Sequence, residues 1–151
     1  MITWDQINHF IAKEFEDSLH PGSGNEIDMI LVLNLDYLWE RVATVADEKP
    51  IIIITQAVDL YSEHGHSDDS YHLKKQGCQA ADFIIFTNLD PRVQYQLVER
   101  QGFGGIGIYY DWRYKDNLVP IGFHVDCRPQ SRIQRWKRVR GEYIYLLGRD
   151  T

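Results

Sequence analysis

Read as hydrophobic and polar positions, the chain is helical in its first third and strand-rich afterwards. Thr3, with Gln6 three residues later, has the form of a capping box. Trp4, Ile7, Phe10, Ile11 and Phe15 then recur at helical spacing, predicting a first helix whose role is packing and whose His9 lies at the surface. His20-Pro21-Gly22-Ser23-Gly24 is turn chemistry and breaks it. A second helix is predicted from about Asp28 to Asp47, on Leu31, Leu35, Leu38, Trp39 and Val42, and Lys49-Pro50 stops it. Ile51-Ile52-Ile53-Ile54-Thr55 is a continuous β-branched run that predicts a central strand buried on both faces. Further strands are expected at 80–86, 104–110, 122–127, 133–139 and 143–147, with Arg140-Gly141-Glu142 as the last turn. The second and third of these read as antiparallel neighbours across the Asp111–Pro120 loop. Asp90-Pro91 opens a short helix with apolar Val93, Leu97 and Val98, and Gly102 ends it. Helices first and strands clustered later argue for an α+β fold, helices packed on a small, mostly antiparallel sheet.

Composition adds bounds. A chain of 151 residues, 44% hydrophobic and 25% charged, fits a single domain over residues 1–151 that needs no disulfide staples. Two cysteines make no disulfide framework; Cys78 and Cys127 lie near the candidate site in sequence but read first as small core residues. The net charge of −6 is uneven: residues 1–71 hold three Lys/Arg against fourteen Asp/Glu, residues 72–151 thirteen against eight. Two solvated faces explain this, as would a basic surface for an anionic polymer. No nucleic-acid-binding motif accompanies the basic residues, so no nucleic acid is expected. No run is apolar and long enough to span a bilayer, and Met1-Ile2-Thr3-Trp4-Asp5 lacks the basic start of a signal peptide. The expectation is a product that is cytoplasmic as synthesised.

Candidate chemistry gathers in two stretches. Ser70-Tyr71-His72-Leu73 is followed by Gln79-Ala80-Ala81-Asp82-Phe83, and Gly122-Phe123-His124-Val125-Asp126-Cys127-Arg128 comes some forty residues later. His72, Asp82 and His124, two imidazoles and a carboxylate, suit a catalytic zinc, which takes three protein ligands and keeps a fourth position for water. The polar segment 59–69 contains His64, Gly65 and His66; it reads as a surface loop, with a lid or a second metal site on His64 and His66 as the functional alternatives. His66 is the one rival to His72.

These stretches resemble the zinc D-alanyl-D-alanine carboxypeptidases, L-alanyl-D-glutamate peptidases and phage endolysins, whose metal-binding fold is shared with Hedgehog signalling domains. That family carries S-x-H-x-x-G-x-A-x-D for two ligands and a strand with H-x-D for the third. Ser70, His72, Ala80, Asp82, His124 and Asp126 fall on those positions, and 105–110 resembles the strand before the third ligand. The resemblance spans roughly Pro50 to Trp136 and implies a Zn2+ site on His72, Asp82 and His124.

The departures are also specific. The step from His72 to Asp82 is ten residues instead of seven, so Lys74 to Gly77 should bulge out without contributing a ligand. Thr55-Gln56-Ala57-Val58 stands where the family has an S-G-Y-R segment, and Ile121 where several members place a catalytic acid. Strand alternation puts His124, Asp126 and Arg128 on one face. Asp126 is then a candidate general base or a residue holding a ligand imidazole; Arg128 a carboxylate clamp for substrate or an ion-pair partner. Ser70 and Gln56 are candidate substrate contacts, Gln56 in place of the missing arginine. The resemblance implies a zinc peptidase acting on peptidoglycan stem peptides, as carboxypeptidase or endopeptidase, carried to the cell wall by another protein. The alternative is a non-catalytic zinc-containing binding or structural domain, again phage-related.

Overall fold

The computed structural model describes residues 1–129 and 131–146; Leu147, expected in the last strand, and residues 148–151 lie outside them. The fold is α+β. A six-stranded sheet is ordered β1-β2-β6-β3-β7-β8, from Ile51–Gln56, Ala80–Phe86, Gly122–Asp126, Gly105–Tyr109, Gln134–Val139 and Glu142–Leu146. Its neighbours pair antiparallel except β3 and β7. β4 (Arg113–Tyr114) and β5 (Asn117–Leu118) form a small hairpin within the loop between β3 and β6. No helix among the described residues is long and apolar enough to cross a membrane.

One face of the sheet carries the core. Ala81, Phe83 and Ile85 of β2, Ile106 and Ile108 of β3, and Phe123 and Val125 of β6 are buried in one cluster with Leu31, Leu35, Leu38 and Val42 of α1 (Met29–Ala46). Each of these strand residues alternates with one facing the other side, so the sheet presents two different surfaces from one period-two pattern. Capping follows the expected chemistry. The Asp28 carboxylate accepts from the amides of Ile30 and Leu31, at 2.9 and 3.0 Å, and Asp47 closes α1 in a left-handed conformation, φ 52°. Asp90 caps α2 (Pro91–Glu99) through the amides of Arg92 and Val93.

Two expectations are corrected. The first helix is two 3-10 turns, Trp4–Gln6 and Ala12–Phe15, although the Thr3 amide does donate to Gln6 Oε1 at 2.8 Å. Between the turns, the amides of Asn8 and His9 donate to the buried carboxylate of Asp36 in α1, so they are withdrawn from any helical ladder. Ile7, Phe10 and Phe15 still enter the core, as their spacing required, and His9 stacks on Trp39 at 3.6 Å between ring centroids. The isoleucine run is an edge strand rather than a central one. Ile52 is buried but Ile51 is 60% exposed, and the pairing with β2 is irregular between Ile54 and Gln56.

Because two amides depend on one carboxylate, Asp36→Ala is expected to lower folding stability by about 1–3 kcal/mol, the penalty for orphaning buried polar groups. Urea unfolding measures it; an unchanged midpoint with unchanged slope would show that water replaces the carboxylate freely.

Candidate metal centre

The second face of the sheet is the floor of a cleft of about 770 Å³. Register alone lines up one row of residues across it: Gln56 opposite Asp82, Asp82 opposite His124, His124 opposite Gly107, Gly107 opposite Trp136, and Trp136 opposite Tyr145. The β2–β6 pairing therefore brings Asp82 and His124 together as direct cross-strand neighbours, forty-two residues apart in sequence. His72 is brought in by the preceding loop, where its carbonyl accepts from the Asp59 amide at 3.1 Å.

Each imidazole has one nitrogen tethered and the other turned to the same oxygen. His72 Nδ1 lies 2.7 Å from the Ala57 carbonyl, and its Nε2 lies 3.2 Å from Asp82 Oδ1. His124 Nε2 lies 2.8 Å from Asp126 Oδ2, and its Nδ1 lies 2.8 Å from Asp82 Oδ1. Such tethering fixes tautomer and ring orientation, as in histidines that ligate metal. The donor types suit a divalent ion that accepts imidazole and carboxylate, but the group here whose donor atoms all lie within 4.8 Å of one another is His66, His72 and Asp82, with His124 outside it. His72, Asp82 and His124 are all buried, and no Lys or Arg pairs with Asp82 among the described residues. Burial would raise the Asp82 carboxyl pKa, but the His72 and His124 imidazoles outweigh it and hold the carboxyl well below the usual range. Burial would likewise lower His124, yet the carboxylates of Asp126 and Asp82 push it up to about 9.

Asp126 is wholly buried and fully engaged. Its oxygens meet Arg128 Nε at 2.7 Å, Arg128 Nη2 at 2.6 Å, the Arg128 amide at 3.2 Å and His124 Nε2. Of the two roles open to Asp126, this geometry fits the one that holds a ligand imidazole. Arg128 is committed in turn: Asp126 takes two of its nitrogens, while Tyr71 and Trp136 approach its guanidinium at 4.7 and 5.2 Å. Ser70 accepts from the His72 amide at 3.3 Å, and both Ser70 and Gln56 line the cleft.

The polar segment 59–69 does more than cover a surface. His66 stacks on His72, centroids 4.2 Å apart and planes within 11°, with its Nδ1 2.8 Å from the fully buried Asp59 carboxylate. One ring nitrogen of His66 lies within 4.8 Å of donor atoms of His72 and Asp82. Burial and the adjacent His72 lower the His66 pKa, against the pull of Asp59. His64 turns elsewhere, its Nε2 2.7 Å from Asp17, so the two histidines do not face one site. Asp17 and Asp59 are further occupied by the amides of Leu19, Leu60, Glu63 and His64, which makes them clamps on this loop. The pairing of His66 with Asp59 has no signature in the sequence: seven residues apart on an irregular loop, they carry no periodic signal.

Two departures from the family pattern have structural counterparts. Lys74–Gln76 forms a 3-10 turn closed by Gly77 at φ 87°, with both lysines exposed and Gln76 lining the cleft. Ile121 is buried in the core cluster. The cysteines lie with the core as well: burial pushes the Cys78 thiol up to about 11 and the Cys127 thiol up to about 12, so neither offers a thiolate.

Two glycines make the floor possible. A Cβ on Gly105 would sit 2.5 Å from Asp126 Oδ1, and one on Gly107 would sit 2.5 Å from Trp136 Nε1. The alternation Gly105-Ile106-Gly107 thus keeps the core side bulky and the cleft side open. Compared with known proteins, the chain significantly matches no family model, no curated protein and no solved structure.

Gly107→Ala is expected to displace the Trp136 indole and lower stability by about 1–3 kcal/mol, as overpacking does. Tryptophan emission and thermal unfolding read both effects. An unshifted spectrum with an unchanged midpoint would mean that the indole has room to spare.

Proposed function

We propose that the chain is a zinc-dependent peptidase of the kind its sequence resembles, with the Hedgehog-related peptidase fold. In this reading it hydrolyses a peptide bond in peptidoglycan stem peptides, of the D-Ala-D-Ala carboxypeptidase or L-Ala-D-Glu endopeptidase type, after delivery to the wall. One observation carries it: His72 Nε2 and His124 Nδ1 converge on Asp82 Oδ1 at the bottom of an open cleft, each ring tethered at its other nitrogen. These three residues would hold the ion, which would lower the pKa of a bound water to about 7 and polarise a carbonyl.

The remaining roles follow from which atoms are still available. Asp126 orients His124 and fixes Arg128, leaving no lone pair open to the cleft. His66, steered by Asp59 and lining the cleft, is the group that can take and return a proton. In this reading His66 is assigned to proton transfer, although its nitrogen also lies near enough to His72 and Asp82 to share the ion, so zinc retention in His66→Ala decides between the two roles. The outer nitrogen of Arg128 and the amide of Gln56 face the substrate.

A second reading, a zinc-containing binding domain without catalysis, draws on Ile121 in the core and on the lack of an arginine in residues 55–58. The tests separate the two. Elemental analysis should find one zinc per chain, falling sharply in His72→Ala, Asp82→Ala and His124→Ala but retained in His66→Ala. Full occupancy in all three ligand variants would overturn the site. On muropeptides containing both bond types, His66→Ala should lose roughly 10²–10⁴-fold in kcat with its zinc in place.

Asp126→Asn should instead weaken zinc affinity about 10–100-fold, the usual effect of removing a partner behind a ligand, with activity restored at saturating zinc. If that variant kept wild-type affinity and lost turnover, Asp126 would be the base after all. Fully loaded wild-type protein that cleaves none of these bonds would favour the binding domain.

A further inference from the structure

The cleft extends beyond the His/Asp centre, over β7 and β8, and its chemistry there is unlike that of a peptide side-chain pocket. Among the described residues its lining contains no Leu, Ile, Val, Met or Phe; it contains two tryptophans, four tyrosines and planar amides such as Gln134. Aliphatic side chains of a bound peptide would find no aliphatic partner here.

Both guanidiniums in this lining are neutralised and stacked. Arg128 is held by Asp126, as described, and Arg138 Nε donates to the Asp111 carboxylate at 2.9 and 3.1 Å. The Arg138 guanidinium lies 4.5 Å from the Tyr109 ring and 5.6 Å from Trp112. Carboxylates and aromatic faces thus fix both groups, so the wall is flat, rigid and close to neutral. A phosphodiester chain would need unpaired cations along it. Beyond them, Tyr143 and Tyr145 stand opposite Arg138 and Trp136 on the cleft side of β8, 53% and 70% exposed. Two residues along one strand, their rings rise about 7 Å apart. Exposed tyrosines give large flat contact area with a hydroxyl at the edge.

A ligand that matches flat aromatic faces edged by hydroxyl, amide and guanidinium donors, without charge, is a pyranose ring: its axial C–H faces stack and its equatorial hydroxyls accept and donate. We infer that the arm of the cleft over β7 and β8 is a carbohydrate subsite for neutral sugar rings of a glycan whose attached peptide reaches His72, Asp82 and His124. The orientation of that peptide rests on the peptidase reading; the sugar site itself does not.

The test uses the full chain loaded with zinc and titrated by NMR and calorimetry with the neutral N-acetylglucosamine tetramer, a free stem peptide and a single-stranded oligonucleotide. The tetramer should bind and perturb the Trp112 and Trp136 indole signals. Tyr143→Ala and Tyr145→Ala, both at exposed positions, should each weaken it about tenfold, the scale of one lost stacking partner. A glycan-linked stem peptide should show a lower KM than the free peptide, and Tyr145→Ala should remove the difference. No tetramer binding, binding indifferent to both tyrosines, or preferential binding of the oligonucleotide would overturn the subsite. His124→Ala separates the two ideas, because it should lose zinc and keep the tetramer. Sugar binding without hydrolysis would reject the peptidase reading alone; hydrolysis with equal KM for free and glycan-linked peptide would reject this inference alone.

Discussion

A carboxylate buried beneath two imidazoles is the constraint on which the site depends. Asp82 sits in β2 with an apolar residue on either side, and burying a charge there without partners would cost several kcal/mol. His72 and His124 meet that cost only in one arrangement, since each must present a particular nitrogen. The arrangement propagates outward: His124 needs Asp126 behind it, Asp126 needs Arg128, and Arg128 is held between Tyr71 and Trp136. Trp136 in turn needs a glycine at 107. The chain of dependencies runs from the middle of the sheet to its far edge, so the cleft and the candidate centre are one construction.

The strand period explains how so small a sheet supports both a core and a cleft. Val125 and Phe123 enter the layer under α1, while on the opposite face His124 lines the cleft and Asp126 lies buried behind it. A one-residue slip of β6 would exchange the two sets, placing imidazole and carboxylate in the core and valine over the site. Pairing on both sides, with β2 and with β3, holds β6 in register, which an edge strand could not do. A preformed site benefits from that position, because ligands on doubly paired strands move little.

Much of this was legible in the sequence, and the limits have physical causes. Alternation and turn residues marked β2, β3, β6, β7 and β8, and cap chemistry marked α1 and α2, because those signals are local. The facing of His124 and Asp126 into one layer followed from period two. The Ile51–Thr55 run was misplaced to the sheet centre because β-branched residues report strand propensity and partial burial, not strand order. The first helix failed for a reason the sequence hides: an acceptor twenty-eight residues away, Asp36, takes the amides a helix would use. The His66–Asp59 pair and the aromatic wall were equally hidden, since both are assembled by loop path and strand pairing. The composition of tyrosine and tryptophan was visible, but not that six of them would line one cleft.

Two pairs with the same chemistry now stand side by side with different consequences. In each, a buried aspartate holds one nitrogen of a histidine: Asp126 with His124, Asp59 with His66. Tethering at Nε2 turns His124 Nδ1 onto Asp82 Oδ1, from where, once deprotonated, it would join the proposed ligand set. Tethering at Nδ1 leaves His66 Nε2 as the nitrogen that can serve the cleft, in a ring stacked on His72. A binding domain would have use for the first pair, which makes the site rigid. The second holds an imidazole, its pKa lowered by burial and by His72, against His72 through a wholly buried carboxylate. The catalytic proposal draws on that second pair, since position 121 holds a buried isoleucine and no acid.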